Sequence, residues 1–238
     1  MNIIYKIFDM SLRVLYPQTC CFCGEISNTP LCKTCESKLV YINEPRCKKC
    51  GKPIRYEEKE YCEDCKKRNF FYEQGRSVWL HKGPVAWSVY QFKYHNRRVF
   101  AEFYGEEMWR LYEKWIRAKE IDVIIPVPLH RRRKRNRGYN QAEVVAKVLS
   151  RSSGIPIENH AIKRIRYTER QKNLDHKERR KNLSGAFRVS AYWKKQKNVL
   201  LIDDIYTTGN TIDEIAKELK KNGVENVYFL TISIGQGF

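Results

Sequence analysis

Two kinds of patterning follow one another along the chain. From about residue 75 onward, short apolar runs alternate with stretches whose apolar side chains recur at helical spacing. Residues 75–81 read as a short strand. Gly83-Pro84 opens a helix that runs to about Tyr94, with proline in the first turn, where its missing amide costs no intrahelical bond. A second helix is expected from about Arg98 to Ala118, with Phe100, Phe103, Met108, Leu111, Tyr112 and Trp115 as its apolar stripe. Residues 121–127 form an unbroken apolar run, as in strands buried on both faces of a parallel sheet. A helix follows over 140–152 with Gly154 beyond its end, then a weak strand over 185–189 and a fully apolar strand over 199–202. A helix over 211–221, closed by Asn222-Gly223, and a strand over 227–234 complete the series. Strands alternating with helices predict a mainly parallel sheet in an α/β fold.

Before residue 70 the grammar differs. Ile3, Ile4, Ile7, Phe8, Leu12 and Leu15 repeat at helical spacing and predict a packing helix in preference to an interfacial membrane anchor. Beyond them cysteines replace the apolar runs: all nine lie between Cys20 and Cys65. The composition thus suggests two units, residues 1–70 and 71–238.

The cysteines fall into a repeat. Cys20-Cys21-Phe22-Cys23-Gly24 is followed by Cys32-Lys33-Thr34-Cys35, and Cys47-Lys48-Lys49-Cys50-Gly51 by Cys62-Glu63-Asp64-Cys65. Two Cys-x-x-Cys pairs converge readily as four thiolates around a tetrahedral zinc ion, and glycine after the second cysteine suits the tight knuckle turn. Each half repeats the whole pattern and can close by itself. We therefore expect two structural zinc ions, one on Cys20, Cys23, Cys32 and Cys35 and one on Cys47, Cys50, Cys62 and Cys65, with Cys21 a bystander; interleaved ligation is the alternative. Metal ligation fits better than disulfides, because the N-terminal stretch is broken by Lys6, Asp9 and Arg13 and resembles no export signal. No run of eighteen apolar residues predicts a membrane span. A cytoplasmic location is expected, with contact at the inner membrane surface left open.

Charge adds a class of partner. Lys and Arg number 46 against 27 Asp and Glu, a formal net charge of +19 in 238 residues. Such an excess favours polyanions and phosphorylated small molecules, and says little about fold.

The most informative segment is Val199-Leu200-Leu201-Ile202-Asp203-Asp204-Ile205-Tyr206-Thr207-Thr208-Gly209-Asn210-Thr211. It reads as a buried strand, two carboxylates at its C-terminal end, a turn rich in hydroxyls and a helix N-terminus. Amides at a helix start cradle phosphate, Gly209 lets the backbone approach, and Thr207, Thr208 and Thr211 add donors. Asp203 and Asp204 suit ribose hydroxyls and the support of a Mg²⁺ carried by the ligand.

This loop resembles the phosphoribosyl-diphosphate motif of type I phosphoribosyltransferases. Nearly the whole chain resembles the ComF family of competence proteins. The resemblance rests on the double zinc ribbon, Phe92-Lys93-Tyr94, Ile125-Pro126-Val127-Pro128-Leu129, Arg137-Gly138-Tyr139-Asn140-Gln141, Gln171 with Arg180-Lys181-Asn182, Gly185-Ala186-Phe187 and the loop itself. It implies a type I phosphoribosyltransferase fold with a mainly parallel sheet, preceded by a small double zinc-ribbon domain. It further implies that phosphoribosyl diphosphate binds with Mg²⁺ at Asp203, Asp204, Thr207, Thr208, Gly209, Asn210 and Thr211, with Arg131 and Arg132 on its pyrophosphate. Residues 164–182, with Arg166, Gln171, Arg179 and Arg180, resemble the loop that closes over the ligand.

After pyrophosphate, the alternatives for Arg131–Arg137 are a basic loop that meets nucleic-acid phosphates or a plain solvated surface. Candidate contacts to single-stranded DNA are Arg131, Arg132, Arg133, Lys134, Arg135, Arg137 and Lys93, with rings such as Phe92 for stacking or for the core. His95 and His130 form no ligand cluster. Three readings stay open. One is a protein of natural transformation that handles incoming single-stranded DNA and binds phosphoribosyl diphosphate, working with partners such as a DNA helicase or recombination mediator. The second is an active pentosyl transferase for an unidentified base or amine, its catalytic residues unassigned. The third is a nucleic-acid-binding zinc protein whose pocket is vestigial.

Overall fold

A computed structural model describes residues 17–56, 58–166 and 183–235. The expected N-terminal helix over 3–15 lies outside these residues, as do Gln171, Arg179 and Arg180. In chain order the elements are α1 (Lys33–Glu36), α2 (Glu63–Lys67), β1 (Gln74–Leu80), α3 (Gly83–Tyr94), α4 (Phe100–Arg117), β2 (Val123–Pro126) and α5 (Arg131–Arg137). They continue as α6 (Gln141–Ser153), β3 (Ile162–Arg164), β4 (Phe187–Val189), β5 (Asn198–Tyr206), α7 (Asn210–Lys221) and β6 (Asn226–Ile234). The four-stranded sheet has the order β1-β6-β5-β2 and is parallel throughout, so the protein is an α/β structure. Strands β3 and β4 form a separate antiparallel pair.

Strand residues alternate between the two faces. Ile124, Leu200, Ile202, Leu230 and Ile232 pack with α3, α4 and α6; Val123, Ile125, Val199, Leu201, Val227 and Phe229 pack with α7. Both faces are covered, so the central strands are apolar on consecutive positions rather than alternate ones. β5 continues beyond the apolar run through both carboxylates, because β6 pairs with it out to Tyr206↔Ile234.

The cysteine-rich part does not stand apart from this core. Cys20, Cys21, Phe22 and Cys35 join Trp79 and Tyr104 on one side of the sheet. Cys47, Cys50 and Cys62 join Tyr72, Tyr206 and Phe229 on the other. Between the two knuckles the chain lies antiparallel beside β1, with Ile42 N–H donating to Val78 O (3.0 Å) and Leu80 N–H to Val40 O (2.8 Å). Gly75 permits the close approach of the second knuckle: its N–H donates to Lys49 O (2.8 Å), and a β-carbon there would overlap the Phe229 ring.

Two expectations change. Arg131–Arg137 is a short helix, not a loop. Arginine and lysine are good helix formers, and the cations of its last turn favour a helix C-terminus. His130 caps it by accepting from Arg132 N–H, and Gly138, at φ 76°, ends it. Phe92 is fully buried, so it serves the core and offers no ring to a nucleobase. Among the described residues no helix is long and apolar enough to cross a membrane.

Candidate functional site

The thiols of Cys20, Cys23, Cys32 and Cys35 lie within 4.8 Å of one another, and so do those of Cys47, Cys50, Cys62 and Cys65. The grouping is sequential, one cluster per repeat. Each knuckle turns on a glycine with positive φ, 81° at Gly24 and 77° at Gly51. Zinc–sulfur bonds of about 2.3 Å in a tetrahedron set sulfurs about 3.8 Å apart. Cys23 and Cys32 sulfurs are 3.8 Å apart and those of Cys50 and Cys62 3.6 Å. The amides of Phe22 and Cys32 both point at Cys20 Sγ (3.4 Å each), as in a site built for thiolate. The donor sets fit zinc. Cys21 lies outside both clusters; burial pushes its thiol up to about 12, and its carbonyl accepts from the Ser88 hydroxyl of α3.

The end of β5 forms the floor of a cleft of about 940 Å³. Asp203, Asp204, Thr207 and Thr211 line it, while Thr208, Gly209 and Asn210 line a smaller cup beside it at the start of α7. Gly209 has φ 76°, and a β-carbon there would sit 2.5 Å from Tyr206 Oη. Among the described residues, neither the amide oxygen nor the amide nitrogen of the buried Asn210 has a hydrogen-bond partner. The loop is braced from behind. Tyr206 and Tyr72 hydroxyls are 2.7 Å apart, and Asp213 of α7 accepts from Phe71 N–H (2.7 Å) and lies 3.8 Å from Arg68. The segment leading out of the second knuckle thus holds the turn between β5 and α7 in place.

The floor carries an unusual charge arrangement. Lys93 Nζ pairs with Asp204 at 2.9 Å, both side chains largely buried. Burial and the neighbouring Asp204 push the Asp203 carboxyl up to about 7, against the opposing pull of Lys93 and Arg164. Burial and the charge of Arg133 bring Arg164 down to about 10. His81 lies 3.0 Å from the Ser233 hydroxyl and is held below its ordinary range by burial and by Lys93.

The basic helix contributes to this cleft selectively. Arg133 and Arg137 line it; Arg131 and Arg132, expected on pyrophosphate, are not part of the lining. The reason is helical spacing, which brings positions four apart onto one face and turns their neighbours away. Arg131, Arg132, Lys134 and Arg135 are exposed. Lys93, expected as a DNA contact, faces Asp204 instead. The Arg137–Gln141 motif sets this geometry. Gly138 ends α5, Tyr139 donates to Phe92 O, Asn140 caps α6 and donates to Val127 O (3.0 Å), and Arg137 donates to Gln141 Oε1 (3.0 Å). His81, Tyr90 and Arg164 also line the cleft but were not singled out from the sequence for it. They come from the end of β1, from α3 and from β3, and no local spacing links them to the loop.

Comparison with known proteins matches the cysteine-rich region to a family and finds relatives of the chain. The double zinc ribbon domain family matches residues 11–66. The chain is 35% identical over 149 residues to competence protein F of Haemophilus influenzae, covering 60% of this chain and 65% of that protein. It is 33% identical over 147 residues to the DNA utilization protein YhgH of Escherichia coli O157:H7, at 60% and 64% coverage. It is 27% identical over 150 residues to competence protein ComFC of Bacillus subtilis, at 63% and 59% coverage. The matches therefore span 59% to 65% of these relatives' own length. With its two four-cysteine clusters ahead of a parallel α/β sheet, the chain is similar to competence protein F and to competence protein ComFC over about three fifths of its length.

Proposed function

We propose that the protein serves competence-type DNA uptake, handling incoming single-stranded DNA, and that its cleft binds phosphoribosyl diphosphate with Mg²⁺ in a type I phosphoribosyltransferase fold. One observation carries this reading. Two adjacent carboxylates and the hydroxyl-rich helix start that follows them meet, in one cleft, the guanidinium groups of Arg133, Arg137 and Arg164, which come from other parts of the chain.

The parts have complementary chemistry. The α7 amides and the hydroxyls of Thr207, Thr208 and Thr211 suit the 5-phosphate. Asp203 and Asp204 accept from the ribose hydroxyls, with Lys93 holding Asp204 in place until the ligand shares it. Arg133 and Arg137 reach the pyrophosphate in the role first expected of Arg131 and Arg132, since planar guanidinium groups match phosphate oxygens in pairs. Mg²⁺, carried by the diphosphate, would offset the negative charge brought beside Asp203 and Asp204. Exposed Arg131, Arg132, Lys134 and Arg135 suit the phosphates of a strand.

Titration calorimetry with phosphoribosyl diphosphate, with and without Mg²⁺, tests the cleft. Saturable Mg²⁺-dependent binding is expected; none would leave the nucleic-acid-binding reading. Pyrophosphate release against a panel of bases and amines then tests for pentosyl transfer.

A further inference from the structure

Two exposed rings stand together at the mouth of this cleft. Helix α3 buries Val85, Ser88, Val89 and Phe92 and turns its other face outward. On that face Tyr90 and Tyr94 are 52% and 46% exposed, values that leave much of each ring accessible. They stand one turn apart with ring centroids 5.0 Å from each other. The Arg137 guanidinium lies 5.0 Å from the Tyr94 ring centroid and donates to its hydroxyl, so the rings adjoin α5 directly. Tyr90, Tyr94 and Arg137 all line the cleft that holds Asp203 and Thr207.

We propose that Tyr90 and Tyr94 form a shelf on which bases of a single strand stack while the outward cations of α5 hold its phosphates, so that the strand crosses the mouth of the ribose-phosphate cleft. The inference rests on the DNA-handling reading and gives it a place. Two features favour a nucleic acid over a protein occupant. The two rings are aromatic and hydroxyl-bearing, and they adjoin a guanidinium group. Six of the seven residues of α5 are Arg or Lys. Two rings tilted 48° to one another, joined through Arg137 to a cationic helix, suit an unpaired strand: stacking accepts any base, and the backbone supplies the negative charge. A strand in this position also covers the route to Asp203 and Thr207, so strand and phosphoribosyl diphosphate exclude each other.

Fluorescence anisotropy with a labelled oligothymidine and an abasic strand of equal length tests this over a series of salt concentrations. The wild-type protein is expected to prefer the oligothymidine. Tyr90→Ala/Tyr94→Ala should weaken oligothymidine binding by roughly tenfold or more, given the usual worth of a base–aromatic stack. It should leave abasic binding and the salt slope unchanged, because the phosphates remain paired with α5. Tyr90→Phe/Tyr94→Phe keeps the rings and should retain binding. Saturating phosphoribosyl diphosphate with Mg²⁺ should weaken oligothymidine binding to the wild type, and a circular dichroism spectrum and melting temperature of the alanine variant matching the wild type would show that its fold is intact. Equal wild-type affinity for both strands, or an alanine variant as tight as wild type, overturns the shelf while leaving DNA binding in place. Failure of the wild type to bind either strand at low salt removes the DNA reading and the shelf together.

Discussion

Lys93, Asp203 and Asp204 illustrate how a few side chains set the behaviour of the cleft. Asp203 titrates near 7 because burial and Asp204 disfavour its charge. In the free protein the carboxyl holds its proton where an unfolded chain has lost it. Its contribution therefore lowers stability as pH rises from the ordinary carboxylate range to about 7. A ligand that brings ribose hydroxyls and Mg²⁺ favours the ionised form. Affinity for phosphoribosyl diphosphate with Mg²⁺ should rise with pH up to about 7 and level off above it, with proton release on binding below that point. Calorimetry in buffers of different ionisation heat measures this, and Asp203→Asn should remove most of the dependence. Asp203→Ala and Thr208→Ala should each lose on the order of 1.5–3 kcal/mol of ligand binding, the usual worth of a hydrogen bond involving a charged group. Circular dichroism of both variants should match wild type; unchanged affinity in both would reduce the loop to a structural turn.

At the scale of elements, each knuckle supports a different wall of the cleft. The first touches α3: a β-carbon on Gly24 would lie 3.1 Å from Trp87, and Ser88 donates to Cys21 O. The second reaches the turn between β5 and α7 through Tyr72 and Phe71. Tyr72→Phe leaves the buried Tyr206 hydroxyl without its partner. It should cost about 1–3 kcal/mol of stability, with faster amide exchange over 206–213 as the local signature. Unchanged exchange there would mean that the loop holds itself. Helix α5 divides its work by face. Arg131→Ala, Arg132→Ala and Arg135→Ala together should flatten the salt dependence of oligonucleotide binding, by roughly 0.7 in log–log slope for each phosphate that is no longer neutralised. They should spare phosphoribosyl diphosphate. Arg133→Ala should weaken phosphoribosyl diphosphate instead, a contrast that the two binding assays read directly.

For the whole molecule, the knuckles complete the core on both sides of the sheet. Structural zinc in small domains carries folding free energy on the order of 10 kcal/mol. Elemental analysis should find about two zinc ions per chain, in keeping with the two four-cysteine clusters. Because Cys47, Cys50 and Cys62 share a core with Tyr206 and Phe229, and Cys20 and Cys35 with Trp79, chelation should lower the melting temperature of the entire chain in one transition. A separate early transition limited to the knuckles would show that the shared core contributes little.

The parts legible in the sequence are those closed by short-range geometry. Each cysteine set is readable because four ligands within about twenty residues meet without help from the rest of the chain. The α/β alternation is readable because buried strands and amphipathic helices differ in period. The loop is readable because strand, carboxylates, turn and helix start are contiguous from Val199 to Thr211. Tertiary structure decided the rest. Lys93 meets Asp204 only because α3 packs beside the end of β5. Arg133 and Arg137 face the cleft in place of Arg131 and Arg132 because the basic run is helical, a property its uniform charge conceals. Phe92 is buried and Tyr94 exposed because one face of α3 meets the core, and the outward face then carries its rings to the cleft mouth. Pairings between residues far apart in the chain depend on sheet order and helix rotation, which local spacing does not encode.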